Sequence, residues 1–278
     1  MLEARGIYDT EFYKAQNLLE QSLQEALRRI SQILPSINNC IDVGCGVGIW
    51  LKAWQTIQPE INIYGIDFNV ASDSMFAIPR NNYQKVDLRD SAKEIYDKVI
   101  FEIREKELFE ISGNKPFDLV QSFEVAEHLE EEYADNFIYL LTLFSNKILF
   151  SAALPMQGGT HHVNERLPKY WARIFAKYGY ECFDICRKEL FDMVINNDLQ
   201  PWYGQNMFLY IHKSCSDEIQ TIKKRGGMIK NSEPQTVLLP PMADALYERL
   251  LHLEKKNQKR ISYKIRHFLR KIRGVDGK

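Results

Sequence analysis

The chain has no apolar run approaching the roughly 20 residues needed to cross a bilayer. Its start, Met1-Leu2-Glu3-Ala4-Arg5, lacks the pattern of a secretory leader. There is no internal repeat and no low-complexity tract, which excludes solenoid and fibrous architectures. Cysteine is sparse: the five are Cys40, Cys45, Cys182, Cys186 and Cys215, an odd number with no C-x-x-C pair. That disfavours a disulfide framework and a zinc knuckle, and fits reduced, buried thiols in a cytoplasmic protein. Neither charge sign dominates, with 36 Lys and Arg against 37 Asp and Glu and a net charge of -1. The balance is uneven along the chain, however. From Leu251 onward ten basic residues face only Glu254 and Asp276, so the body before them is acidic. An acidic body disfavours an enzyme that grips nucleic-acid phosphates across a whole face.

What is present is an alternation of strand and helix signals. Thr10–Leu34 carries apolar residues at helical spacing and stops at Pro35. Strands are expected at Asn39–Val43, Ile61–Ile66, Asn82–Val86, Phe117–Phe123 and Lys147–Ala153, with helices at Ile49–Ile57, Ser91–Glu110, Glu131–Leu143 and Lys169–Tyr178. Such alternation predicts an α/β fold, a mostly parallel sheet with helices on both faces. Tyr180–Cys186 and Met207–His212 are two further strands, with a loop and a short helix between them. Ser214–Gln235 is polar and reads as a linker or arm. Met242–Leu253 and Ile261–Ile272 read as two helices of a C-terminal extension, which puts the domain at 1–213 and the extension at 214–278.

The most specific local signal is Asp42-Val43-Gly44-Cys45-Gly46-Val47-Gly48, between the first strand and the helix that follows it. Glycines there let bare backbone approach a ligand. The third glycine comes two residues after the second, not three as in the dinucleotide pattern G-x-G-x-x-G, which disfavours a nicotinamide oxidoreductase. D-x-G-x-G-x-G resembles motif I of the class I S-adenosylmethionine (SAM) methyltransferases. That resemblance implies a seven-stranded sheet with an antiparallel final strand. It also implies cofactor contacts from Asp42, Gly44, Cys45, Gly46 and Gly48 at the methionine end, and from Phe123. Asp67, ending the second strand, would take the ribose hydroxyls with Phe68 beside it. Asp87 and Leu88, ending the third strand, would take the adenine. Asp42–Gly48, Phe123–Leu129, Gly158–Glu165 and Trp202-Tyr203-x-Gln205-Asn206 together resemble a bacterial subgroup often associated with glycan or secondary-metabolite assembly, in which the counterparts of Tyr8, Tyr13 and Gln16 fold over the cofactor. Simpler roles exist for these groups: an Asp often forms a turn after a strand, and the N-terminal helix could merely dock.

After the fourth strand comes Glu124-Val125-Ala126-Glu127-His128. At i, i+3 and i+4, Glu124, Glu127 and His128 share one face if the segment begins a helix. Two carboxylates and an imidazole make most of a divalent-metal site. E-x-x-E-H at this place is similar to two metal-dependent groups, one methylating phenolic oxygens in ubiquinone biosynthesis, the other the 3′-terminal 2′-hydroxyl of small RNAs. The latter adds a downstream histidine. Gly158-Gly159-Thr160-His161-His162-Val163-Asn164-Glu165 offers His161 or His162, with His162 the expected fourth ligand. Two alternatives stand: the carboxylates only cap a helix N-terminus, or His128 or His162 acts as a general base without metal. Trp171, Trp202 and Tyr203 are candidates for an aromatic wall against a sugar ring, or else core.

These features lead to the expectation of a SAM-dependent O-methyltransferase acting on a hydroxyl, of a sugar in a bacterial glycan or glycosylated metabolite, assisted by Mg²⁺ or Mn²⁺. The runner-up acceptors are the 3′-terminal ribose of RNA and a non-sugar small molecule or peptide. A cofactor-binding protein without catalysis is the alternative of a different class. In the tail, Ile261, Ile265, Phe268, Leu269 and Ile272 share a helical face among basic residues. Such a helix suits the inner membrane surface, an acidic partner, the protein's own acidic body or a homodimer.

Overall fold

A computed structural model describes residues 20–34, 36–68, 71–111, 114–225, 234, 238, 241–244, 247–257 and 259. Tyr8, Tyr13, Gln16 and the basic helix expected at Ile261–Ile272 lie outside these residues. The first described helix, α1 (Glu20–Ser31), turns Leu23, Ala26, Leu27 and Ile30 inward, the i, i+3, i+4, i+7 stripe expected of a surface helix.

Seven strands form one sheet: β1 (Asn39–Val43), β2 (Asn62–Asp67), β3 (Tyr83–Lys85), β4 (Leu119–Phe123), β5 (Lys147–Ser151), β6 (Tyr180–Phe183) and β7 (Phe208–His212). Their order is β3-β2-β1-β4-β5-β7-β6. The first five are parallel, and β7 runs antiparallel to both β5 and β6. The fold is therefore the Rossmann-like sheet that the alternation and the glycine motif pointed to. Order reverses between β1 and β4, and in open α/β sheets ligands sit beyond the strand ends at such a point.

Successive strand residues face opposite sides, so a buried sheet needs two cores. Cys40 lies in one, with α1, α2 (Ile49–Ile57) and α6 (Cys186–Ile195). Ile41 and Val43 lie in the other, with α3 (Ala92–Glu105), α4 (Ala134–Phe144) and α5 (Pro168–Lys177). Two helices, α6 and α7 (Pro201–Asn206), fill the stretch between β6 and β7, more than the loop and short helix expected.

The segment read as a polar linker also differs: Ser216–Lys224 is a helix, α8, whose Ile219 and Ile222 are buried. Two isoleucines at i, i+3 are enough to dock a helix whose remaining residues are polar. Residues 241–244 and 247–257 are helical, as expected there, and Met242 is buried. Among the described residues no helix is long and apolar enough to cross a membrane.

Candidate functional site

The glycine turn follows β1. Gly44, Gly46 and Gly48 all have left-handed backbone, with φ of 85°, 57° and 84°. The Gly44 amide donates to the Ile66 carbonyl (2.8 Å) and the Gly46 amide to Asp67 Oδ2 (2.8 Å), which pins the turn to the end of β2. Asp42 lies beneath the turn and is 2% exposed. It accepts from Gln121 Nε2 (2.9 Å), and Gln121 Oε1 accepts from Trp54 Nε1 (2.8 Å).

Burial pushes the Asp42 carboxyl up to about 7; the Gln121 bond opposes this and the Asp67 charge adds to it. The folded state therefore holds a proton that the unfolded chain releases near about pH 4. Stability of the cofactor-free protein should fall as pH rises from about 4 to about 7, by on the order of a few kcal/mol. Asp42→Asn should abolish that fall, gaining on wild type in melting temperature between pH 5 and pH 8. An equal difference at both pH values would count against the assignment.

The second half of the site follows β4. Glu124 has φ of 54°, so the chain breaks there, and Ala126–His128 forms a 3₁₀ turn. This departs from the expected helix start, so Glu124 does not share a face with the other two. Its carboxylate accepts from Gln157 Nε2 (2.7 Å) and Asn206 Nδ2 (3.1 Å). Burial raises it to about 7 despite these bonds and one from Ser151.

Glu127 is completely buried, and neither carboxylate oxygen has a hydrogen-bond partner of ordinary geometry among the described residues. Burial raises its pKa well above the usual range, and Glu124 adds to this; the amides of Glu127 and Ala153, which face it, oppose it only in part. Its backbone carbonyl accepts from the amides of Val163 (2.9 Å) and Asn164 (3.0 Å). Those two bonds fasten the loop after β5 to the turn after β4, and they set His162 beside Glu127. Ligand atoms of Glu127, His128 and His162 all lie within 4.8 Å of one another. The imidazole rings meet edge to face, 4.8 Å apart. Burial, and then His162, lowers the His128 pKa to about 4, so the ring is neutral at pH 7.

A residue the sequence pattern did not single out completes this arrangement. Glu165 Oε1 is 3.0 Å from His162 Nδ1 and also accepts from the Gly158 amide (2.8 Å), while Oε2 accepts from the Met156 amide (2.7 Å). A carboxylate can only accept, so Nδ1 carries a proton, and Nε2 is turned toward Glu127, 4.0 Å away. A histidine that donates its other N–H to a carboxylate is the usual second layer of a metal site. The H-x-x-E spacing was the only hint of it in the sequence. His161 has φ of 57° and lies exposed, its carbonyl 3.4 Å from His128 Nδ1.

Residues 15–147 match the family described as a methyltransferase domain. The chain carries a methyltransferase domain. With the Asp42–Gly48 turn and the observed strand order, it is a SAM-dependent methyltransferase. No curated protein sequence matches the chain. Among solved structures it is similar to the plantazolicin methyltransferase BpumL in complex with SAH: 14% identity, 76% of this chain, 91% of that one, TM-score 0.46. It is also similar to the methyltransferase domain of bacterial CtHen1-C, with 19% identity over 69% of this chain and 98% of that one, TM-score 0.43. A third is an O-methyltransferase family protein from Burkholderia thailandensis, with 14% identity over 75% of this chain and 61% of that one, TM-score 0.45. These likenesses are distant, and the assignment rests on the family match with the motif and sheet order.

Within the methyltransferase, the residues expected at the cofactor divide into two groups. Gly44, Cys45, Gly46, Gly48, Asp67 and Phe123 gather around the β1–β4 switch point, with the Phe123 ring 4.6 Å from that of Trp50. Phe68 is exposed and has the Lys85 ammonium over its ring at 4.9 Å. Asp87 is engaged by Arg89, whose Nε and Nη2 reach its two oxygens at 2.9 and 2.6 Å, so an adenine amino group would compete with a guanidinium. Leu88 is buried. Trp171 packs on Phe150 in the core opposite the one holding Trp202 and Tyr203, so no wall of those three forms.

Proposed function

We propose that this methyltransferase methylates a sugar hydroxyl, with a divalent metal held by Glu127, His128 and His162. The observation that carries the reading is the completely buried Glu127 carboxylate, neither oxygen of which has a hydrogen-bond partner of ordinary geometry among the described residues. An unpartnered buried carboxylate is costly unless a cation completes it. Mixed carboxylate and imidazole donors suit Mn²⁺ and its neighbours as well as Mg²⁺. Bound there, such an ion would supply Lewis acidity, lowering the pKa of an acceptor hydroxyl.

The chain's own residues do the rest. Glu165 holds the His162 tautomer, and Asn206 and Gln157 hold Glu124 beside the cluster. The loop that carries His162 is tied to the β4 turn, so the cluster and the glycine turn flank the same switch point. The sulfonium methyl is already activated, so the protein's task is to align an oxygen with it and help remove the proton. His128 or His162 would accept the proton only without the metal, because the lone pair of a metal-bound imidazole is already committed.

The test is methyl transfer from labelled SAM to a panel of sugars with and without vicinal diols, using chelator-treated protein with and without Mn²⁺. Transfer to diols that falls on the order of 100-fold without metal is expected. Metal-independent transfer, or transfer to amines alone, would overturn the reading.

A further inference from the structure

Gly158 is crowded from outside the sheet. A Cβ built on it would lie 1.7 Å from Arg249 Nη1, 2.8 Å from Cζ and 3.3 Å from Nη2. The guanidinium thus occupies the space that a side chain at Gly158 would fill. Gly158 is the residue whose amide holds Glu165, and Glu165 orients His162. A residue far along the chain, beyond β7 and beyond residues 15–147, therefore reaches the rim of the cluster.

Arg249 is exposed and makes no hydrogen bond or ion pair with a described residue. The guanidinium that the loop itself carries, Arg166, is already taken: it pairs with Glu131 (2.6 Å) and donates to Asn164 Oδ1 (2.8 Å). Three carboxyl groups also gather here: Glu165 on the Gly158 amide, Glu124 on Gln157, and Glu127 4.0 Å from His162 Nε2. Such a site repels an anionic acceptor unless a fixed cation meets it. A guanidinium presents a fork of donors that matches the oxygens of phosphate or carboxylate.

We infer that Arg249 is a specificity-determining residue, the contact for an oxyanion on the acceptor, either a phosphate or a carboxylate, lying close to the hydroxyl that is methylated. This deepens the sugar-hydroxyl reading and rests on it. The C-terminal helical residues 247–257 are then part of the acceptor site and not an appendage.

Three small probes share a vicinal diol and differ in charge: glycerol 3-phosphate, glycerate and glycerol. Each is titrated calorimetrically into the full-length protein saturated with S-adenosylhomocysteine and Mn²⁺. Wild type should bind at least one of the charged probes tenfold or more tightly than glycerol, and which one distinguishes phosphate from carboxylate. Arg249→Gln should erase that preference, Arg249→Lys should keep part of it, and the exposed neighbour Lys256→Gln should leave it unchanged. Equal binding of all three probes, no binding of any, or a preference that survives in Arg249→Gln would overturn the inference. Mn²⁺ affinity, read separately before any probe is added, reports on the metal reading alone. Its loss in wild type would sink that reading whatever the probes show, and Arg249→Gln should not change it.

Discussion

Glu127→Ala should lose divalent-metal binding by about 100-fold or more, because even residues that only support a metal ligand are worth about 10–100-fold in affinity. S-adenosylhomocysteine binding should persist, since the glycine turn is built from other residues. The same substitution should leave the fold intact. Glu127 has no side-chain hydrogen bond of ordinary geometry among the described residues, and burial together with Glu124 makes its charged form unfavourable. A glutamine matches the shape of the neutral carboxylic acid, so Glu127→Gln removes only a charge that burial already disfavours. Glu127→Gln is thus expected to melt at or above the wild-type temperature without metal, and to gain nothing when Mn²⁺ is added. Wild type should gain in proportion to metal occupancy. Titration calorimetry and thermal melts on the three proteins check both halves. Unchanged Mn²⁺ affinity in Glu127→Ala would remove the metal from the mechanism and leave His128 or His162 as an unaided base.

Gly44→Ala should damage both halves of the site at once. The position has φ of 85°, where an alanine is strained by roughly 1–2 kcal/mol. Its Cβ would also sit 2.4 Å from Val125 Cγ2 and 2.7 Å from Cγ1. Overpacking of that kind costs about 1–3 kcal/mol when neighbours must shift. Val125 immediately precedes the 3₁₀ turn Ala126–His128, so whatever moves it moves Glu127 and His128. The expected result is a loss of S-adenosylhomocysteine affinity of at least about tenfold, since about 1.4 kcal/mol is a factor of ten. A smaller loss of Mn²⁺ affinity should accompany it, although Gly44 contributes no donor to the cluster. Wild-type affinity for S-adenosylhomocysteine in Gly44→Ala would mean that the cofactor does not lie on this turn.

Regular elements were legible in the sequence because their signals are local. β1 and α2 fall on the expected residues, and the other strands deviate by one to three residues at their ends. Alternation implied parallel strands with helices on both faces, and the motif resemblance implied the antiparallel last strand. The donor types were legible too, since glycines after β1 and a carboxylate–histidine run after β4 must meet at the switch point once the sheet order is set.

Which donors converge was decided only by the tertiary structure. Spacing of i, i+3 and i+4 assigns a common face only within a helix, and residue 124 is left-handed ahead of a 3₁₀ turn. Glu124 accordingly turns to Asn206 and Gln157, 82 and 33 residues away. His162 rather than His161 faces the cluster because the Val163 and Asn164 amides bond the Glu127 carbonyl. Glu165, the opposite-face burial of Trp171 and the contact of Arg249 with Gly158 likewise depend on pairings across the chain. A sequence records which groups are available and how neighbours along an element are spaced. Loops take their shape from hydrogen bonds between residues far apart in the chain, and no local periodicity encodes those.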